Sequence, residues 1–101
     1  MFPAELKKPI ETKLSALKGK QVYISETHSI GGGCINEACS LVTNAGKYFI
    51  KYNSAEAFPG MFEKEAAGLK LLADTKTIKI PDVIGSAEIG KYAYLLLHYI
   101  E

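Results

Sequence analysis

Three glycines, a lysine and a glutamate are the residues of this chain whose types and spacing could do chemistry. Gly31, Gly32 and Gly33 follow one another in a short loop. There backbone N–H groups can approach an anion closely, because no Cβ stands in the way. Lys51 lies two strands further on and offers a point charge to the same anion. Together they read as a grip on phosphate. A hairpin loop followed by an ordinary strand lysine accounts for the same residues, since a glycine run is a weak signal without its context. Glu65 is the third participant: it falls on the apolar stripe of a helix expected over 61–74, between Phe62 and Leu69. An ionised carboxylate facing a core costs several kcal/mol unless a cation meets it. The pattern therefore asks for a buried partner, and Lys51 is the natural one. The competing arrangement has Glu65 at the rim of the stripe, pointing to water.

The elements that must position these residues follow from periodicity. Leu6, Ile10, Leu14 and Leu17 recur at helical spacing and define one face of an N-terminal helix. Gly19 is its expected C-cap, and Pro9 is expected in its first turn or at a kink. Strands are expected over 21–28, 37–43 and 47–52. Asn44-Ala45-Gly46 supplies hairpin chemistry between the last two, with Gly46 able to take a positive φ. Phe49 and Lys51 then share one face of the third strand, and Tyr48, Ile50 and Tyr52 the other. Pro59 and Gly60 break the chain before the second helix, whose stripe is Phe62, Ala66, Leu69, Leu72 and Ala73. Ile80-Pro81 is expected to open a fourth strand reaching about Ala87. Gly90 turns the chain into a fifth over 92–99, where Leu95, Leu96 and Leu97 form the continuous apolar run of a strand covered on both faces.

With 101 residues, the chain is one small domain or part of a larger one. A hydrophobic share of 48% and a charged share of 23% describe a soluble globular composition with enough apolar side chains for a modest core. The net charge of +1 leaves no basic footprint for nucleic acid and no polybasic segment for a membrane surface. No apolar run approaches a bilayer span, and the first residues lack a secretory-signal profile, so a cytoplasmic setting is the default expectation. Cys34 and Cys39 are too few for a disulfide framework and match no zinc spacing. His28 and His98 lie far apart, and no metal site is expected from this chain alone.

Strand, glycine loop, strand, lysine-bearing strand, glutamate-bearing helix, strand, strand is the order of the small lobe of protein-kinase-like enzymes. Gly31-Gly32-Gly33-Cys34-Ile35-Asn36-Glu37-Ala38, Tyr48-Phe49-Ile50-Lys51 and Met61-Phe62-Glu63-Lys64-Glu65-Ala66 resemble the fructosamine kinase (ketosamine kinase) family. That family groups with the aminoglycoside and choline phosphotransferases, and the likeness extends over nearly the whole chain. It implies an α+β fold: a five-stranded antiparallel sheet with a covering C-type helix and an N-terminal helix. It also implies that residues 1–101 are an ATP-binding lobe.

Further roles come from the resemblance residue by residue. Gly31, Gly32, Gly33, Cys34, Ile35 and Asn36 would arch over the ATP phosphates, with N–H groups near Gly33 and Cys34 as donors. The loop ends in Asn36 where protein kinases have a third glycine. Lys51 would hold the α- and β-phosphates, steadied by Glu65. Ile30, Ala38 and Phe49 would pack around adenine, Leu97 would be the gatekeeper, and His98 to Ile100 the hinge. The His98 carbonyl and the Ile100 N–H would read the adenine edge. Glu101 lies just past that hinge, so the catalytic-loop Asp and the Asn and Asp that hold Mg2+ are expected in a second lobe absent from this chain. These residues alone are therefore expected to bind ATP weakly and to transfer no phosphate. The implied reaction is phosphorylation of a sugar hydroxyl on a glycated amine, a ketosamine, in repair of glycated proteins or small amines.

Two features leave alternatives open. Cys34, at the loop tip near N–H dipoles, sits where thiolate is favoured. The resemblance adds redox control through disulfide-joined homodimers, while a small residue chosen for loop packing fits as well. Exchange of the glycine hairpin between copies is a second route to self-association. The competing functions are a related phosphotransferase of the aminoglycoside or choline type, a non-catalytic kinase-like binding or dimerisation module, and a plain α+β domain that binds no ligand.

Overall fold

A computed structural model describes residues 2–30, 37–57, 59–75 and 82–99. Its elements run α1 (Ala4–Lys18), β1 (Ile24–Ser29), β2 (Glu37–Thr43), β3 (Gly46–Ser54), α2 (Met61–Thr75), β4 (Val83–Ile89) and β5 (Tyr92–His98). The strands form one antiparallel sheet in the order β1-β2-β3-β5-β4. α1 and α2 pack on opposite faces, so the expected α+β arrangement is the observed one.

α1 forms because Leu6, Ile10 and Leu14 recur on one side and are fully buried. Gly19 ends it in the left-handed region at φ 68°, donating its N–H to the Ser15 carbonyl at 2.9 Å. One expectation fails here: Leu17 is 52% exposed, because the buried stripe stops one turn before the cap. Of the two places expected for Pro9, the first turn is excluded, since the helix already starts at Ala4 and Pro9 lies inside it. The carbonyl left without a proline N–H belongs to Glu5, an exposed residue where water can serve.

β1 begins at Ile24 and not at Gln21. The N–H groups of Val22 and Ile24 donate to Ser15 Oγ and Glu11 Oε2 of α1, each at 2.8 Å. The Tyr23 N–H donates to Asn44 Oδ1 at 2.8 Å, and Asn44 Nδ2 donates to the Gln21 carbonyl at 2.9 Å. Residues 21–23 therefore fasten the helix to the turn. In that turn Thr43 pairs with Gly46, leaving Asn44 and Ala45 as the loop, and Gly46 has φ 109°. Thr43 Oγ1 accepts the Ala45 N–H at 2.9 Å and donates to the Gly46 carbonyl at 2.7 Å.

Alternation along the strands builds two different faces. Leu41, Tyr48, Ile50, Tyr52, Tyr94 and Leu96 face α1. Phe49, Ala93, Leu95 and Leu97 face α2, where Phe62 and Ala66 cover them. The Leu95–Leu97 run thus serves both cores, as expected of a strand flanked by β3 and β4. Leu72 departs from its expected place in the α2 stripe and is 43% exposed, and the side chain of Ala73 lies outside the described residues. Ile80-Pro81 also lies outside them, and β4 is described from Val83, later than expected. Gly90 makes the expected turn at φ 58°. Among the described residues no helix is long and apolar enough to cross a membrane.

Candidate nucleotide-binding cleft

Lys51 reaches the α2 side of the sheet because it alternates with Ile50 and Tyr52, which are committed to the α1 core. Phe62 and Ala66 hold α2 against that side, and Glu65, between them, is carried along the helix edge toward β3. Lys51 Nζ and Glu65 Oε2 meet at 2.7 Å, with the side chains 32% and 27% exposed. This is a charge-assisted hydrogen bond at the short end of its range. Exposure of about a third limits its contribution to stability to roughly 1 kcal/mol or less. Its main effect is to fix the direction of the ammonium.

The pair forms one wall of a cleft of about 420 Å³, lined by Ile30, Phe49, Lys51, Glu65, Leu69, Leu97, His98 and Tyr99. Phe49 and Leu97 are cross-strand partners and make its apolar floor. Ile30 donates its N–H to the Ala38 carbonyl at 3.0 Å, which ties the residue after β1 to β2. A flat apolar space with one oriented cation at its edge can take a ring with an anionic tail.

Six of the site residues read from sequence come together here: Ile30, Phe49, Lys51, Glu65, Leu97 and His98. His98 follows Leu97, so its side chain turns to the α1 side, where its ring stands 5.7 Å from that of Tyr48. Its backbone is what borders the cleft, with the N–H held by the Asp82 carbonyl at 3.0 Å. Ala38 pairs with Lys51 and shares its face, but does not line the cleft. Gly31, Gly32, Gly33, Cys34, Ile35, Asn36 and Ile100 lie outside the described residues. Two further residues line the cleft with their side chains unassigned to it: Leu69, expected only in the stripe of α2, and Tyr99, expected only as the middle of the 98–100 hinge. Leu69 stands one turn after Glu65, and Tyr99 two residues after Leu97, so the spacings that marked their neighbours could have marked them.

The phenols whose acidity the fold perturbs are not in the cleft. Tyr52 is pushed well above its ordinary value, first by burial and then by the adjacent Cys39 thiol, and Tyr94 is raised by burial. Both belong to the α1 core. Among the described residues no group of three or more His, Cys, Asp or Glu side chains is placed to hold a metal ion.

The family model for fructosamine kinase matches residues 6–101. Over 92 residues the chain is 38% identical to the probable ketoamine kinase of Synechocystis, covering 91% of this chain and 31% of that protein. Over 86 residues it is 42% identical to the chloroplastic protein-ribulosamine 3-kinase of Oryza sativa subsp. indica, covering 83% of this chain and 25% of that one. The chain thus spans about a third or less of these relatives. Its fold superposes on a candidate fructosamine-3-kinase from Haemophilus somnus 129PT with a TM-score of 0.79 and 28% identity, over 91% of this chain and 31% of that one. The sheet and its covering helix are a protein-kinase-like small lobe, and the chain belongs to the fructosamine kinase family.

Proposed function

We propose that this chain is the ATP-binding lobe of a kinase that phosphorylates a sugar hydroxyl on glycated amines. The observation that carries the reading is the 2.7 Å Lys51–Glu65 pair standing at the edge of the Phe49–Leu97 floor. Adenine lies on the floor between Ile30, Phe49 and Leu97, and the backbone at His98 borders its edge. Lys51 faces the phosphates, held by Glu65 so that its charge does not have to be reoriented as the γ-phosphoryl group leaves. Gly31, Gly32 and Gly33 are read as the source of backbone N–H donors for the phosphates. When bound, Mg2+ supplies further neutralisation of the phosphate charge, from ligands that this reading places in a second lobe. The chain's own part is to bind and orient ATP, and by itself it transfers no phosphate. Ketosamines, on proteins or small amines, are the acceptors that the names of the relatives favour over choline or aminoglycosides.

The test is thermal unfolding of this chain with increasing ATP, since a ligand that binds only the folded state raises Tm. The expected result is a dose-dependent rise that Lys51→Met abolishes or strongly reduces. An equal rise in wild type and Lys51→Met would overturn the role of the lysine. No rise at saturating ATP would overturn the nucleotide reading.

A further inference from the structure

Strand β3 carries a second lysine on the same face as Lys51. Alternation puts Lys47, Phe49 and Lys51 in one row on the α2 side, with Tyr48, Ile50 and Tyr52 on the other. At strand rise, Lys47 and Lys51 are roughly 13 Å apart. Phe49 lies between them. On β5, Leu95 and Leu97 form the neighbouring row, which Tyr99 continues just past the end of the strand. The observed pairs Lys51–Leu95, Phe49–Leu97 and Tyr48–His98 extend by one residue to set Lys47 opposite Tyr99. The Lys47 ammonium indeed lies over the Tyr99 ring, 5.6 Å from its centroid. Tyr99 is half-buried and lines the cleft at the end away from Glu65, while Lys47 is exposed and does not line it.

We propose that Tyr99 is a specificity-determining wall for the base end of the cleft, and that Lys47 is the residue positioning it. This deepens the nucleotide reading and rests on it. β5 ends at His98, so Tyr99 has no ladder of its own to fix it. A cation over its face restricts the ring to one orientation by attraction to the π-electrons. The same attraction keeps Lys47 on the ring, so the two lysines of the row have separate tasks. Lys51, paired with an acid, answers to phosphate. Lys47, paired with a ring, shapes the pocket for a flat base and contributes nothing to the phosphate end.

The test uses this 101-residue chain, titrated with ATP and with adenosine and followed by amide chemical shifts, which also report whether each variant is folded. Lys47→Ala is expected to weaken both ligands by the same factor, about two- to five-fold. Lys47→Arg should restore affinity, because guanidinium stacks on aromatic faces. Tyr99→Ala should weaken both ligands at least as much as Lys47→Ala. Lys51→Met should weaken ATP and spare adenosine. A Lys47→Ala loss confined to ATP would make Lys47 a phosphate contact and overturn the proposal. Silent Lys47 and Tyr99 variants beside a sensitive Lys51→Met would overturn it while leaving the nucleotide reading intact. A wild-type chain that binds neither ligand would remove both.

Discussion

On one face of the sheet, α1 presses Leu6, Ile10 and Leu14 onto Leu41, Ile50 and Leu96, all of them fully buried. On the other, α2 covers only part of the surface with Phe62 and Ala66, and leaves Phe49 and Leu69 bordering an open cleft that holds an ion pair. The same strands build both. Side chains one residue apart along β3 go to a dry core or to a charged wall, because a strand alternates its faces. Stability and chemistry are thereby kept on separate surfaces. A change on the α1 face should act on folding, and one on the α2 face on binding.

The largest effect expected is that of Leu14→Ala. Removing a fully buried leucine from a close-packed core costs about 2–5 kcal/mol, a large share of the stability of any small domain. Leu69→Ala, beside the cleft, should cost roughly 1 kcal/mol or less, because space is already open there. Urea unfolding of the two variants measures the contrast. Equal costs would mean that the α2 face is as tightly built as the other.

Alkaline titration probes the α1 face a second way. Burial raises the Tyr52 and Tyr94 phenols above the value near 10 that they have when unfolded. Below that pH both states hold the proton and stability is at its full value. Above it the unfolded chain releases protons that the folded chain keeps, so stability falls by about 1.4 kcal/mol per pH unit for each phenol until the folded value is reached. Tyr52→Phe should flatten this decline between pH 10 and 12. A decline of the same slope in that variant would assign the effect to other groups.

Glu65→Gln separates the faces from the other side. The pair is about one-third exposed, so its loss should change unfolding free energy by no more than about 1 kcal/mol. ATP affinity should fall several-fold as Lys51 loses its direction. A stability loss approaching that of Leu14→Ala, with ATP binding intact, would make the pair a structural strut.

Much of this division was legible in the sequence, for a physical reason. Strand alternation and helical spacing are local, and they set Lys51 apart from Ile50 and put Glu65 on the stripe of its helix without reference to the rest of the fold, leaving its inward or outward turn open. What escaped depended on non-local competition. The first strand starts three residues late because Ser15 and Glu11, on a different element, take the N–H groups of Val22 and Ile24. Leu17 and Leu72 keep their period but run past the edge of what their helices cover. Tyr99, read from sequence only as the middle of the hinge, meets Lys47 through register with β3, and register between distant strands is not written in either strand alone. Ala38, set against adenine by the resemblance alone, shares the face of Lys51 without lining the cleft, since a shared face does not settle which positions the helix leaves open.

The smallest expected change concerns the outer side of α2. Gly68 sits in the middle of the helix, and a Cβ added there would meet nothing within 4 Å. Glycine in a helix interior is about 0.5–1 kcal/mol less favourable than alanine. Gly68→Ala should therefore raise stability by that amount while leaving ATP binding unchanged, since the residue lies off the cleft. The outcome depends on the neighbouring surface. Ala67 is exposed and Leu71 is 71% exposed on the same outer side. If that side is free in solution, the gain should be the same at every protein concentration. A loss of stability that grows with protein concentration and disappears on dilution would mean that α2 meets a second copy at close range there, where only a glycine fits. The covering helix would then be held from both sides, and the contrast between a closed face and an open one would belong to the isolated chain alone.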